Sequence, residues 1–228
     1  MRKLITAAFV SLDGVMQAPG GPEEDTAGGF AFGGWTAPYF DETLGEAMGE
    51  MFAQPFDLVL GRRTYDIFAA HWPHYPTDPA APGYDPGEAH IAQVFNGVTK
   101  HVATHRPDSL TWANSQSLGD DIVATVRALK QQDGPLLLTQ GSSELVQALA
   151  AADLIDEYRL LIFPVLLGRG KRLFADRAAP GAMTLVKSTV SSSGVIAATY
   201  VRAGGVQTGS FALEKPSEAE IERRKTQA

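Results

Sequence analysis

Two stretches of this chain share one build: a short apolar run, a glycine, and a helix start that carries polar residues. Phe56-Asp57-Leu58-Val59-Leu60 runs into Gly61-Arg62-Arg63-Thr64-Tyr65, and Leu136-Leu137-Leu138-Thr139-Gln140 runs into Gly141-Ser142-Ser143-Glu144-Leu145. An apolar run of this length, bounded by a turn, reads as a strand buried on both faces. A strand that passes at once into a helix, more than once along a chain, calls for parallel crossovers and a sheet covered by helices. All-helical and all-β architectures are therefore disfavoured from the outset.

The remaining sequence extends the alternation. Lys3 to Leu12 predicts a first strand, nearly all apolar and closed by Asp13-Gly14. Residues 17–37 are rich in Gly and hold Pro19, Pro22 and three acids, so they read as a long loop, a kind often functional. From Pro38, Phe40, Leu44, Met48, Met51 and Phe52 recur at helical spacing. A Pro-rich stretch over 72–87 predicts a second loop, with a short helix over Glu88–Phe95. Strands are expected at Val98–Thr104 and Leu110–Asn114, and a helix capped by Ser117 follows. After residue 156 the helices stop: Glu157–Pro164, Met183–Val190 and Val195–Arg202 read as three strands, antiparallel at one edge. The expectation is a single α/β domain over residues 1–203, built on a mostly parallel sheet of about eight strands, with a polar tail over 204–228.

Composition narrows the function. The 228 residues hold 19 Lys+Arg against 26 Asp+Glu, a net charge of −7, which argues against a general nucleic-acid binder. With no Cys, disulfides, thiolate metal sites and a Cys nucleophile are excluded. No apolar stretch reaches the length of a membrane span, and the apolar N-terminal run is too short for a signal peptide, so a cytoplasmic protein is expected. His71 and His74 lie in the Pro-rich loop without a clear third ligand, so no metal is expected. There is no Gly-x-Ser-x-Gly elbow.

The two corners are the first candidate site. Free amides at a helix start attract an anion, and the forks of Arg62 and Arg63 strengthen the grip beside Thr64. Two cations at a helix start are unfavourable unless an anion joins them. Gly141, Ser142, Ser143 and Glu144 offer hydroxyls and amides at the second corner, although Ser142 or Ser143 also serves as an ordinary cap. Two such corners in one sheet fit a dinucleotide. Thr104 and Arg106, beyond the third strand, are placed to meet its adenosine end, or form a polar loop. Asp13 lies at the carboxyl end of the first strand, where open α/β sheets bind ligands. It is the candidate catalytic acid and substrate contact, the alternative being a plain Asp-Gly turn. Trp35, with Phe30 and Phe32, either stacks on a planar substrate or pins its loop to the core. Gly168-Arg169-Gly170-Lys171 is not a phosphate loop: Val165 stands where the Walker pattern needs Gly, and Arg172 follows the Lys. No strand–Gly-x-Gly-x-x-Gly–helix fingerprint is present.

Taken together, Ser11-Leu12-Asp13-Gly14, Gly61-Arg62-Arg63-Thr64-Tyr65, Gly141-Ser142-Ser143-Glu144-Leu145 and Asp156-Glu157-Tyr158-Arg159 running into Pro164-Val165-Leu166-Leu167-Gly168-Arg169-Gly170 resemble the dihydrofolate reductase-like superfamily. The resemblance is closest to the RibD C-terminal-type reductase domain of riboflavin biosynthesis, and it covers residues 3–202. It implies an NADPH-dependent reductase acting on a small planar heterocycle or carbonyl compound, similar to 5-amino-6-(5-phosphoribosylamino)uracil reductase. It implies phosphate contacts at Gly61–Thr64, a pyrophosphate at Gly141 and the helix start after it, and the 2′-phosphate near Thr104–Arg106. It places Asp13 toward the substrate pocket and implies a homodimer. The family turn is commonly Gly-Gly where this chain has Gly141-Ser142. The competing reading is a protein of the same fold that binds NADPH or a nucleotide without turnover.

Overall fold

The computed structural model describes residues 1–174, 178–212 and 214–226. Eight strands form one sheet in the order β4-β3-β2-β5-β1-β6-β8-β7. The strands are β1 (Leu4–Ser11), β2 (Phe56–Gly61), β3 (Lys100–Ala103), β4 (Ser115–Ser117), β5 (Leu136–Thr139), β6 (Glu157–Phe163), β7 (Met183–Val190) and β8 (Ile196–Arg202). The first six are mutually parallel, and β8 pairs antiparallel with both β6 and β7. This is the α/β sheet with an antiparallel edge that the alternation predicts.

Among the described residues, five α-helices join the strands, α1 (Glu42–Met51), α2 (Arg62–His71), α3 (Pro86–Gly97), α4 (Ile122–Gln131) and α5 (Ser143–Ala151), and α6 (Glu218–Lys225) follows β8. Strand side chains alternate between two cores. Ile5, Ala7, Leu58, Leu60 and Phe163 face α1, α2 and α3, while Leu4, Ala8, Val59 and Leu160 face α4 and α5. β1 is buried along nearly its whole length, as a strand between two parallel neighbours and two helical layers must be. Among the described residues, no helix is long and apolar enough to cross a membrane.

Two local expectations shift. The strand expected over Leu110–Asn114 lies instead at Ser115–Ser117. Trp112 is buried in the core, its N–H donates to the Tyr65 hydroxyl at 2.9 Å, and the ladder with β3 starts only at Asn114, whose carbonyl accepts from Lys100 N–H. Ser117 therefore sits in a strand, and Asp121 caps α4. Beside this edge Lys100 is fully buried: its ammonium donates to the carbonyls of Asn96 (3.1 Å) and Ala113 (2.9 Å) and stands 4.2 Å over the Trp112 ring. Burial pushes its pKa down to about 8.

Candidate active site

β2 and β5 are neighbours, with Phe56 opposite Leu136 and Leu58 opposite Leu138, so their carboxyl ends lie side by side. The two corners consequently touch. Gly61 N–H donates to the Gly141 carbonyl at 3.0 Å. A Cβ on Gly61 would fall 2.3 Å from Ser142 Oγ and 2.7 Å from Ser142 N. Gly141 has φ +136°, and a Cβ there would fall 2.8 Å from Thr64 Oγ1. Glycine is required at both positions by close approach, and at Gly141 also by its backbone conformation. Both corners open on one cavity of about 870 Å³, lined at this end by Thr64, Gln140, Ser142 and Ser143.

The helix starts at these corners differ from the rest. Asp41, Asp85, Asp121 and Ser217 cap α1, α3, α4 and α6 with their side chains. The N-caps of α2 and α5, Gly61 and Ser142, make no such bond, so first-turn amides lack the usual protein acceptor. Gln140 Oε1 is also buried without a partner among the described residues. Unanswered amides from two adjoining helices, beside hydroxyls and with no room for side chains at 61 and 141, suit a phosphate-bearing group. The site fits the dinucleotide expectation on these grounds.

The other named residues divide. Arg62 turns away from the cavity toward the end of β3, where its Nη1 donates to Thr104 Oγ1 (3.2 Å), Ser109 Oγ (2.6 Å) and the Arg106 carbonyl (3.3 Å). Thr104 is buried; it also accepts from Arg106 N–H at 3.0 Å, so Arg62, Thr104 and Arg106 form one cluster beside the first corner. Arg63 lines the cavity, bonded to Asp25 at 2.6 Å. Glu144 is in the first turn of α5 but exposed and outside the lining. Asp13 lies outside the lining too. Its carboxylate accepts from Ser11 Oγ (2.6 Å), Leu167 N–H (3.1 Å) and Gly168 N–H (2.8 Å). The Ser11 hydroxyl, aided by those two amides, holds its carboxyl below the usual range against the opposing effect of burial. Trp35 is buried, packs edge-on against Phe163 and donates to the Gln17 carbonyl at 2.8 Å, which pins the loop to the core.

Sequence reasoning passed over two parts of this site. The first is a clasp on the 17–37 loop. Asp25 accepts from Arg63 and, at 2.5 Å, from Lys171, which ties the loop to α2 and to the segment after β6. Burial opposes its ionisation, but bonds from Lys171, Ala27 N–H and Arg63 outweigh burial and lower its pKa. Gln17 adds a bond from Lys171 N–H at 3.0 Å. The second is the far end of the cavity, a chamber between α1, α2 and α3 lined by Phe40, Met48, Phe52, Phe68, Trp72 and Phe95. Helical spacing marks Phe40, Met48 and Phe52 only as core, since a cavity wall and a packed core carry the same apolar pattern, and Trp72 falls in the Pro-rich stretch read as a loop.

Comparison with known proteins agrees with this architecture. The profile of the RibD C-terminal domain family matches residues 2–197. Two uncharacterized proteins of Bacillus subtilis (strain 168) are similar: YyaP is 28% identical over 152 residues, 65% of this chain and 76% of its own, and YwjB is 27% identical over 205 residues, 89% and 99%. Among solved structures, a riboflavin-biosynthesis candidate from Shewanella sp. PV-4 is similar at TM-score 0.52 and 21% identity, covering 88% of this chain and 99% of that one. Dihydrofolate reductase from Enterococcus faecalis, complexed with NADP(H) and RAB-propyl, is similar at TM-score 0.53 and 14% identity, covering 88% and 96%. At those identities the two structures speak to the fold, which is dihydrofolate reductase-like. The sheet order, the paired corners and the match over residues 2–197 lead to one conclusion: this chain belongs to the RibD C-terminal domain family.

Proposed function

We propose that this protein is an NADPH-dependent reductase acting on a small planar heterocyclic or carbonyl substrate. The observation that carries the reading is the pair of touching corners whose helix starts lack side-chain caps and open on a single cavity. In this reading the first-turn amides of α2 and α5, with the hydroxyls of Thr64, Ser142 and Ser143, hold the pyrophosphate. Arg62, Thr104 and Arg106 receive the adenosine 2′-phosphate, a task suited to a guanidinium fork. Arg63 is shared: an arriving phosphate competes for it with Asp25. When bound, the reduced nicotinamide supplies a hydride. The chain does the rest by orienting the acceptor and keeping water from it with the apolar chamber. Asp13 acts at one remove, by fixing the amides of Leu167 and Gly168 and so the approach of Lys171 to the cavity.

A second reading, a nucleotide-binding protein without turnover, draws on one observation: the Asp13 carboxylate is committed to Ser11 and to the amides of Leu167 and Gly168, and is outside the cavity lining. Titration with NADPH, followed by nicotinamide fluorescence, tests the corners. A panel of pterins, pyrimidines, quinones and aldehydes, followed at the reduced-cofactor absorbance, separates the two readings. Binding with no oxidation of NADPH by any member selects the second, and absence of NADPH binding sinks the reductase reading. A homodimer is part of the proposal, supported by β7, which is exposed at every residue and presents Leu185, Val186 and Val190.

A further inference from the structure

Asp13 is spent on Ser11 and on the amides of Leu167 and Gly168, so a reduction in this cavity needs another source for its proton. The cavity wall holds the carboxyl groups of Glu23, Glu24, Asp25 and Glu88. Glu23 is exposed to solvent. Asp25 is kept as a carboxylate by Lys171 and Arg63, and Lys171 is thereby engaged as well. Glu88 stands at the far end of the chamber, at the start of α3 and near His71. Glu24 is placed differently from all of these.

Glu24 is half-buried, and its two oxygens have separate surroundings. Oε2 accepts from the N–H groups of Gly20 (2.6 Å) and Gly21 (3.2 Å). Oε1 accepts no bond among the described residues, and it is not sealed from water. The turn that carries it is fixed. Glu24 N–H donates to the Gly21 carbonyl at 3.2 Å, and the Pro19 carbonyl accepts from Thr36 Oγ1 at 2.7 Å. Gly33 lies so close that a Cβ there would overlap the Gly21 carbonyl and Pro22. Thr36, Ala37 and Phe40 carry the wall onward into the chamber, while Asp25, the next residue after Glu24, turns to Arg63 at the corner. Glu24 thus stands where the corner end meets the chamber. Burial raises its pKa against the pull of the Gly20 and Gly21 amides, and the neighbouring Asp25 charge adds to burial. Two N–H donors on Oε2 leave the proton to Oε1, the open oxygen.

We infer that Glu24 is the catalytic acid of this cavity, and that its Oε1 gives a proton to the heteroatom of the substrate's reducible C=N or C=O bond. The inference rests on the reductase reading, because it names the acid of that same site. The acceptor carbon gains a hydride from the reduced nicotinamide, and the π electron pair moves onto the heteroatom. That pair takes the proton as the Oε1–H bond breaks, so the substrate gains one hydride and one proton. Glu24 is left as a carboxylate, its charge met by the Gly20 and Gly21 N–H groups, and water restores the proton.

Glu24→Gln tests the assignment, because the Gln amide oxygen accepts from the same two N–H groups while the acid proton is lost. On the unmodified full chain, carbon-13 NMR of the assigned glutamate carboxyls should show Glu24 titrating above the ordinary glutamate range. An ordinary value overturns the inference, independently of how any variant folds. With the most rapidly reduced compound of the pterin, pyrimidine, quinone and aldehyde panel, Glu24→Gln should lower kcat at least about a hundredfold, the usual worth of a general acid. NADP⁺, titrated by calorimetry, should bind the variant about as tightly as the unmodified protein, since the lost interaction forms only in the transition state. Undiminished kcat in Glu24→Gln overturns the inference and leaves the reductase reading standing. A fall in NADP⁺ affinity that matches the fall in kcat makes Glu24 a support of the cofactor site and overturns it as well. NADPH binding with no panel compound reduced removes the reductase reading, and the inference with it.

Discussion

Gly61→Ala probes the contact between the corners more directly than any charge change. Gly61 has φ −70°, which any residue adopts, so a methyl group there costs nothing in backbone conformation. The whole effect comes from the 2.3, 2.7 and 2.9 Å distances to Ser142 Oγ, N and Cβ. Two of those atoms belong to a side chain, and the third is backbone that moves only if α5 moves. Overpacking of this kind costs about 1–3 kcal/mol. For a chain of this size, that lowers the thermal midpoint by roughly 3–10 °C. Because relief requires the two helix starts to separate, phosphate contacts shared between them weaken as well. Losing one charge-assisted bond, at about 1.5–3 kcal/mol, reduces NADPH affinity about 10- to 100-fold. Adding Ser142→Gly removes the Oγ and Cβ clashes but leaves the backbone one, so the double variant should recover part of the stability and not all of it. Denaturant melts and NADPH titrations of the four proteins in this cycle provide the measurement. Wild-type stability and affinity for Gly61→Ala would show that the corners are not in contact, and the proposed cofactor site would fall with them.

Four further outcomes are expected. Arg62→Ala should weaken NADPH about 10- to 100-fold and NADH only a few-fold, measured by parallel titrations, since the lost partner is the 2′-phosphate; equal losses would remove Arg62 from that role. Asp13→Asn should lower stability by about 1–2 kcal/mol in a denaturant melt, through weakened amide contacts, and change kcat less than tenfold; a kcat loss of a hundredfold or more would make Asp13 a catalytic acid. Lys100 releases its proton near pH 8 in the folded protein but only near 10.5 when unfolded, so the unfolded chain binds more protons between those values and stability rises with pH across that window, by up to about 3 kcal/mol relative to Lys100→Met in pH-dependent melts. Val186→Lys on β7 should shift a dimer to monomers in light scattering, and a species already monomeric at high concentration would remove the homodimer.

The sequence announces both corners, because a buried strand, a glycine and a helix start are local features. It does not announce that Gly61 and Gly141 touch. That contact depends on β5 inserting between β2 and β1, a pairing across about 80 residues that no local pattern records. Ser142 occupies the N-cap position the spacing predicts, yet its hydroxyl makes no cap bond, which only the folded geometry reveals. Asp13 reads the same whether it faces a ligand or its own loop, and the choice lies with Leu167 and Gly168, more than 150 residues away. Trp35 is a similar case: an aromatic in a Gly-rich loop either stacks on a ligand or anchors the loop, and here it anchors. Lys100 left no trace in the sequence, since a lysine at a strand start normally reaches solvent.

The 17–37 loop is fastened by different forces at its two ends. Trp35 holds one end by packing against Phe163, and Asp25 holds the other by charge on Arg63 and Lys171. Ionic strength therefore loosens the acidic end while leaving the aromatic end in place, and cooling weakens the aromatic end first. The loop therefore has one salt-sensitive fastening and one salt-insensitive one, and in added salt a protease is expected to cut it around residues 20–26 before it cuts near 35.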